Sequence, residues 1–412
     1  MAATHPQPAR RALKGALAAL LVVPLAAGCA ESTGTVGTTT SDSGSSAPDS
    51  PAPDSPAPVS AVKVRSNVAR GADGVQVSRM VKLEASKGTF RTVKVHTTKG
   101  ESVPGGLSSD RTAWHATGRL EPSQDYLVRA VAADSNGTAR SYSSRFSTQD
   151  LSLKQQTYPS VSPLGGQTVG VGMPIMIHFD VPVQNRTQFE QHMHVTSSAG
   201  QKGSFSWLDS QNVHYRPEHY WKPGSKISVN IDVNSVDAGN GIYGQESRNI
   251  SFDVGHSMVS KVNLKTDQLK AYRDGKLVRT IPVTGGMPGF TTRSGTKVIV
   301  AKDRLHDMNS ETIGLDPNGP NGYNLKGVEY AMRLTFSGEF LHAAPWSVGS
   351  QGRANVSHGC TGMSTANAGW LFNNTMVGDP VEYTGTDRYM TLTNGYGDWN
   401  QSWADWKAGS AL

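Results

Sequence analysis

Cysteine is almost missing from this chain: its 412 residues hold two, Cys29 and Cys360. That scarcity excludes a disulfide framework, and no Cys/His spacing of the metal-binding kind is present. Long apolar runs are missing too. Ala16 to Ala27 is the best of them, and it is too short to span a bilayer, which argues against a permanent transmembrane helix. No stretch is rich in Lys and Arg, so nothing argues for nucleic acid as a partner. The formal charge of +6 includes Arg10, Arg11 and Lys14, and cleavage before Cys29 would leave +3.

What is present begins with a targeting segment. Arg10, Arg11 and Lys14 precede the apolar run, so residues 1–28 read as a signal peptide. The run ends in Leu25-Ala26-Ala27-Gly28-Cys29, which resembles a lipobox, with Ala26 standing where a larger aliphatic residue is commoner. An ordinary small-residue cleavage site is the alternative. The paired arginines hint at twin-arginine export, although their flanks do not complete that pattern. Residues 29–60 are Ser, Thr, Pro, Asp and Gly with almost nothing apolar, too little to offset the entropy of ordering. They read as a disordered tether of up to roughly 90 Å when extended. The expected location is extracytoplasmic, anchored to the membrane through lipid on Cys29. Cys360 then has no disulfide partner, and an unpaired thiol in an oxidising space calls for a reason. Catalysis is the obvious one.

The remaining chain, roughly 350 residues, exceeds one core. From 61 to 150, short β-type runs alternate with Gly, Asn and Asp turns. Across 124–132, Tyr126, Val128 and Ala130 share one face and Leu127, Arg129 and Val131 the other. Leu120-Glu121-Pro122 followed by Tyr126 resembles the tyrosine corner of immunoglobulin-like sandwiches, and Trp114 is expected in the core. Residues 151–255 read as a second sandwich, with strands at 173–183 and at Ile227, Val229, Ile231 and Val233, and with Trp207 and Trp221 as core aromatics. His192, His194, His214 and His219 are expected as scattered surface or packing residues. From 256 to 384 the chain stays β-rich: a strand from Val262, another at 269–272, an Asp274-Gly275 hairpin turn, then strands at 277–283 and 298–301. The best helix signal is Ser364 to Phe372, with Ser364 as N-cap. The tail, 385–412, carries Tyr389, Tyr396, Trp399, Trp403 and Trp406 and is expected to fold back onto the preceding domain. The fold class is mainly β.

Chemistry concentrates in Phe340-Leu341-His342-Ala343-Ala344-Pro345-Trp346-Ser347 and Ser357-His358-Gly359-Cys360. A thiolate nucleophile needs a base or cation nearby, and two histidines are available. Gly359 would let the backbone approach a substrate carbonyl, and amides beside the cysteine could form an oxyanion hole. The N-terminus of the following helix is expected to point at this turn and lower the thiol pKa. A buried core cysteine is the rival reading, but Ser, His, Gly and Thr are the wrong neighbours for a core strand. A papain-like site is disfavoured, because His342 precedes the cysteine, by 18 positions, in a β-rich context.

These two segments resemble the catalytic motif of L,D-transpeptidases of the YkuD type. The segments 269–286, Arg293-Ser294-Gly295-Thr296 and Gly378-Asp379-Pro380-Val381 are also similar to that family, and its Ig-bearing branch has the same order of parts. The resemblance implies Cys360 as nucleophile and His342 as general base, oriented by the carbonyl of Ala343, where serine is usual. It places His358 and Gly359 in the motif around the nucleophile, with the Gly359 and Cys360 amides as oxyanion donors. Ser357 is expected to hold the loop. Tyr323, Met308, Trp346 and Ser347 correspond to substrate-side positions. Gly362 stands where Asn or Arg is common, and Ile313 replaces a flap tyrosine.

The implied reaction is acyl transfer on peptidoglycan: a tetrapeptide stem as donor, release of D-Ala, and an amine acceptor giving a 3→3 cross-link. Carbapenem-type β-lactams are implied as covalent inhibitors. Neither a metal nor an organic cofactor is called for. Rivals are a carboxypeptidase or endopeptidase with water as acceptor, a relative that attaches proteins or exchanges terminal D-amino acids, and a degenerate wall-binding protein whose Ig-like stalk is the working part.

Overall fold

The computed structural model describes residues 59–412, so the expected signal peptide, Cys29 and nearly all of the expected tether lie outside the described residues. The described residues form one compact unit. It is mainly β, and among the described residues no helix is long and apolar enough to cross a membrane.

The first sandwich pairs two four-stranded sheets. One runs Lys63–Ser66, Lys82–Ser86, Ala113–Ala116, Gly105–Leu107, and the other Ala72–Val75, Ala139–Thr148, Asp125–Ala133, Thr89–Thr97. Successive side chains on Asp125–Ala133 point to opposite faces, so Tyr126, Val128 and Ala130 go inward together, meeting Leu83, Phe90 and Trp114. The Tyr126 hydroxyl accepts the Glu121 N–H at 2.8 Å, the corner contact that its sequence context suggests. Glu121 and its neighbours also hold the next domain: Ser235 donates to the Leu120 carbonyl and Asn234 to the Glu121 carboxylate.

The second sandwich has its own core. Ile175–Phe179 and Lys226–Ile231 lie in different four-stranded sheets and face each other through Ile175, Ile177, Phe179, Ile227, Val229 and Ile231. Trp221 is fully buried and donates to the Met173 carbonyl, while the Trp207 indole donates to Glu190.

The third region stacks a five-stranded sheet (Lys276–Pro282, Gln268–Arg273, Met258–Asn263, Pro380–Thr384, Gly295–Val298) with a four-stranded one (Ala301–Asn309, Asn324–Arg333, Phe340–Ala343, Thr361–Met363). The strand expected at 298–301 is split: Val298 ends one strand, Ala301 begins the next, and residues 299–300 join them. Asp274 and Gly275 have φ of +50° and +78°, the left-handed pair that a tight hairpin needs. The helix Thr365–Asn374 is capped by Ser364, whose Oγ accepts the Asn367 N–H, and it buries Ala368 and Leu371 in the core.

The tail folds back onto the third region, where Arg388 and Met390 pair with the Ser294 backbone, Asn394 with Ser337 and Asn400 with the Thr296 backbone. Its aromatic surface goes further, largely to the second sandwich. Trp406 is buried and donates to the Ser204 carbonyl, and Trp399 donates to that of Gly172. The buried Arg216 guanidinium lies 4.6 Å from the Trp406 ring and 4.9 Å from that of Trp399. A cation on the sandwich selects the tail's indoles. His214, expected as a surface or packing residue, bonds Asp398 of the tail at 2.6 Å. Tyr389 remains 70% exposed.

The second sandwich meets the third region at Gly170 and Gly172, whose amides donate to the Val377 and Gly378 carbonyls. A Cβ on Gly170 would sit 2.2 Å from the Asp379 nitrogen, so only glycine fits. Burial pushes the Asp379 carboxyl up to about 8, against the opposing pull of the Met376 amide and Lys302. An acid with a raised folded pKa contributes stability below its unfolded value, about 4, and that contribution is lost as pH rises towards about 8. Asp379→Asn should therefore melt with the parent near pH 4 and above it at pH 8. Thermal melts at both pH values check this; a constant difference would show that the carboxyl is ionised throughout.

Candidate active site

The site grows from one pairing. Phe340–Ala343 and Thr361–Met363 run parallel, with Leu341 opposite Thr361 and His342 opposite Gly362. Parallel neighbours need a crossover of about a dozen residues or more, which accounts for the 18 positions between His342 and Cys360. Leu341 goes to the core, so His342 faces the other way, onto a cavity of about 300 Å³ that Cys360 also lines. Met308, Tyr323, Leu325, Trp346 and Ser347 complete much of its wall. A wider groove of about 500 Å³, between the second sandwich and the tail, contains neither residue.

His342 is buried, with Nδ1 2.7 Å from the Ala343 carbonyl oxygen. A carbonyl can only accept, so Nδ1 carries the proton and Nε2 is the basic nitrogen. Burial lowers the imidazole pKa, which keeps it neutral. The Trp346 ring lies 5.9 Å away and nearly parallel, itself 58% exposed at the cavity edge. Ser347 Oγ turns back to the Ala344 carbonyl.

Cys360 is half-buried, and its thiol donates to the Gly338 carbonyl at 3.5 Å. No hydrogen bond joins it to His342 among the described residues. The expected depression of the thiol pKa is corrected here: burial pushes it up to about 11. The strand Thr361–Met363 separates the cysteine from the helix, and the first-turn Asn367 amide of the helix is taken by Ser364. The resting pair is thus neutral thiol beside neutral imidazole. Such a pair transfers its proton as bonding begins, and apo contacts of this type are commonly loose.

The loop before the thiol is tightly held. Ser357 Oγ donates to the Cys360 carbonyl at 2.6 Å and accepts the Gly359 N–H at 3.1 Å. The Gly359 amide, one of the two expected oxyanion donors, is therefore engaged by Ser357. Gly359 has φ of +118°, which a side chain would strain. Its carbonyl accepts from Thr292 Oγ1 at 2.9 Å, and Thr292 in turn accepts the Gly286 amide. His358 does not bond the thiol. Its ring lies between Phe290, at 4.7 Å, and Tyr323, at 5.0 Å, with Nε2 unpartnered and its pKa lowered by burial.

Met308, Tyr323 and Leu325 cluster with Cys360 in one apolar patch, and burial with the nearby thiol pushes the Tyr323 phenol up to about 12. A Cβ on Gly362 would lie 2.8 Å from that of Ala344 and 3.2 Å from Thr284 Cγ2, so this wall leaves no room for a longer residue. Ile313 sits in the short turn Ser310–Ile313, against Gly338 rather than in the cavity lining. Among the described residues no cluster of three His, Cys, Asp or Glu could hold a metal.

Sequence reasoning missed Thr292, Arg293, Lys297 and Glu339 as neighbours of the site. A lysine inside a short strand reads as surface, and only the folded contacts show that it is buried.

A thiol and a backbone-tethered imidazole on one cavity wall, behind two sandwiches, define a class of Ig-bearing β protein with a cysteine–histidine site. Residues 72–237 match the bacterial Ig domain model and 257–382 the L,D-transpeptidase catalytic domain model. L,D-transpeptidase 2 of Mycobacterium tuberculosis is 34% identical over 350 residues, covering 85% of each chain. L,D-transpeptidase 5 of the same organism is 28% identical over 340, covering 81% of this chain and 73% of its own. Among solved structures, a complex of an L,D-transpeptidase with imipenem is 35% identical, with a TM-score of 0.49, covering 55% of this chain and 97% of that one. The chain belongs to the L,D-transpeptidase family.

The raised thiol pKa has a direct readout. Alkylation of Cys360 by iodoacetamide should still accelerate between pH 9 and 10, because thiolate keeps forming up to about 11. Rates followed by peptide mass mapping check this, and a plateau below pH 8 would mean that the thiol is ionised at rest.

Proposed function

We propose that this protein is a peptidoglycan L,D-transpeptidase that forms 3→3 cross-links through a thioester on Cys360. The observation that carries the reading is that Cys360 and His342 line one cavity while the Ala343 carbonyl leaves His342 Nε2 as the basic nitrogen. The thiol proton passes to His342 Nε2 as sulfur attacks the carbonyl of the third residue of a tetrapeptide stem. The Cys360 amide meets the oxyanion. The imidazolium protonates the departing amine of D-Ala, leaving a thioester. The side-chain amine of an acceptor stem then attacks, giving its proton to His342, which returns it to the sulfur as the new amide forms. Every proton is accounted for on one nitrogen.

The apolar walls supplied by Met308, Leu325, Trp346 and Val356 favour an amine over water, since they dry the site around the thioester. Tyr323 and Ser347 border the donor. Carbapenem-type β-lactams would acylate Cys360 by the same attack on a strained carbonyl. The working location is the outer face of the membrane, with lipid on Cys29 holding the folded unit near the wall.

Incubating the full chain with a tetrapeptide stem and an amine acceptor should give a Cys360 thioester and a cross-linked dimer by intact mass. Cys360→Ala should lose both, and His342→Gln should slow D-Ala release by about a hundredfold or more. Turnover surviving in Cys360→Ala would refute the assignment. For the anchor, Cys29→Ser should move the protein from the membrane to the soluble fraction; unchanged sedimentation would count against lipidation.

A further inference from the structure

Against the thiol lies a charge cluster that the proposed reaction does not use. The Glu339 carboxylate is nearly buried and takes two cations: Lys297 Nζ at 2.5 Å, itself fully buried, and Arg293 Nη1 at 2.6 Å, with the Arg293 amide at 3.3 Å. Two positive charges and one negative leave the cluster at +1 when all three are ionised. Its position is specific. Glu339 lies between Gly338, whose carbonyl receives the thiol, and Phe340, whose backbone favours the thiolate. The Glu339 Cγ also lies 3.8 Å from where a Cβ on Gly359 would stand, beneath the residue before the nucleophile.

Lys297 reaches the other side of the cysteine as well. Its ammonium is 3.7 Å from the Tyr383 ring centroid, and the Tyr383 hydroxyl bonds Thr361 Oγ1 at 2.8 Å, one residue after Cys360. Both backbone segments that cradle the sulfur are thus tied to one buried lysine. Burial on this scale is costly, and an ion pair replaced by apolar packing is often no less stable, so stability alone does not explain the cluster.

We propose that Lys297, with Arg293 and Glu339, is a positioning device for the nucleophile: it fixes the 338–340 wall and sets a cation and a carboxylate of opposed effect beside the sulfur. The proposal rests on the reading of Cys360 as the nucleophile. The groups facing Lys297 are Glu339, Arg293, Tyr383 and the thiol itself. Burial lowers the ammonium to about 8, with Glu339 pulling it back up.

A charge role and a merely structural role differ in sign. Lys297→Met removes a positive charge and Glu339→Gln a negative one. The first should slow iodoacetamide alkylation of Cys360 in the full chain by about three- to tenfold at pH 7.5, and the second should speed it by a similar factor. That range allows for the lower nucleophilicity of a more acidic thiol. Arg293→Gln, on a more accessible side chain, should slow it like Lys297→Met and decides the matter if either buried variant fails to fold. Folded Lys297→Met and Arg293→Gln proteins that alkylate within twofold of the parent, or a slower Glu339→Gln, would overturn the proposal. Alkylation reads the thiol without turnover, so the proposal can fail while transpeptidation stands, and the reverse.

Discussion

The site depends on one constraint, the parallel pairing of Phe340–Ala343 with Thr361–Met363. It places His342 across from Gly362 and brings Cys360 to the same cavity. Parallel strands cannot be joined by a tight turn, so a long excursion separates them, and that excursion has to be held in place. It is pinned chiefly to residues 283–285, just past the Lys276–Pro282 strand: Gly352 donates to the Val283 carbonyl, Thr284 to that of Ala354, and Asn355 takes the Gly285 amide while donating to the Leu264 carbonyl. Such bonds satisfy backbone groups that would otherwise be stranded, and they fix the approach of the loop to the thiol.

Electrostatics in the cavity run opposite to the simplest expectation for a reactive cysteine. Burial favours the neutral form of both partners, raising the thiol and lowering the imidazole. Charge appears only as bonding to an electrophile begins, which protects an unpaired thiol from idle reaction. The Lys297–Glu339–Arg293 cluster is the exception to this neutrality, and it sits behind the backbone rather than in the cavity, where a substrate would not displace it.

Beyond the site, successive parts of the chain are tied to one another. Arg119 and Glu121 of the first sandwich engage Asp232 and Asn234 of the second. Gly170 and Gly172 of the second abut 377–379 of the third, and the tail returns to lay Trp399 and Trp406 around Arg216. Asn400 and the Asp398–His214 pair show the tail bridging two domains rather than covering one.

Much was legible beforehand because it is local. Period-two alternation marked the Tyr126 and Ile227 strands, positive-φ chemistry marked the Asp274-Gly275 turn, and Ser364 marked the start of the helix. The residues around Cys360 marked an unpaired thiol among Ser, His and Gly as a nucleophile but left His342 and His358 both open as its base, and the family resemblance implied His342. What depends on distant contacts was not legible. The placement of the tail depends on partners far along the chain, among them the buried Arg216, 182 residues from Asp398, and Glu190, which takes the Ala411 amide. The thiol's upward shift arises from everything packed around the sulfur, and a helix N-terminus one short strand away does not counter it. Lys297 and Glu339 are 42 residues apart and look like ordinary surface charges until the two sheets close on them. The sequence by itself determined which groups could react and which strands would form, because those depend on side-chain chemistry and local periodicity. Only the tertiary structure decided how strongly each group holds its proton and which charges share its surroundings, because desolvation and Coulomb interactions depend on distance in space rather than along the chain.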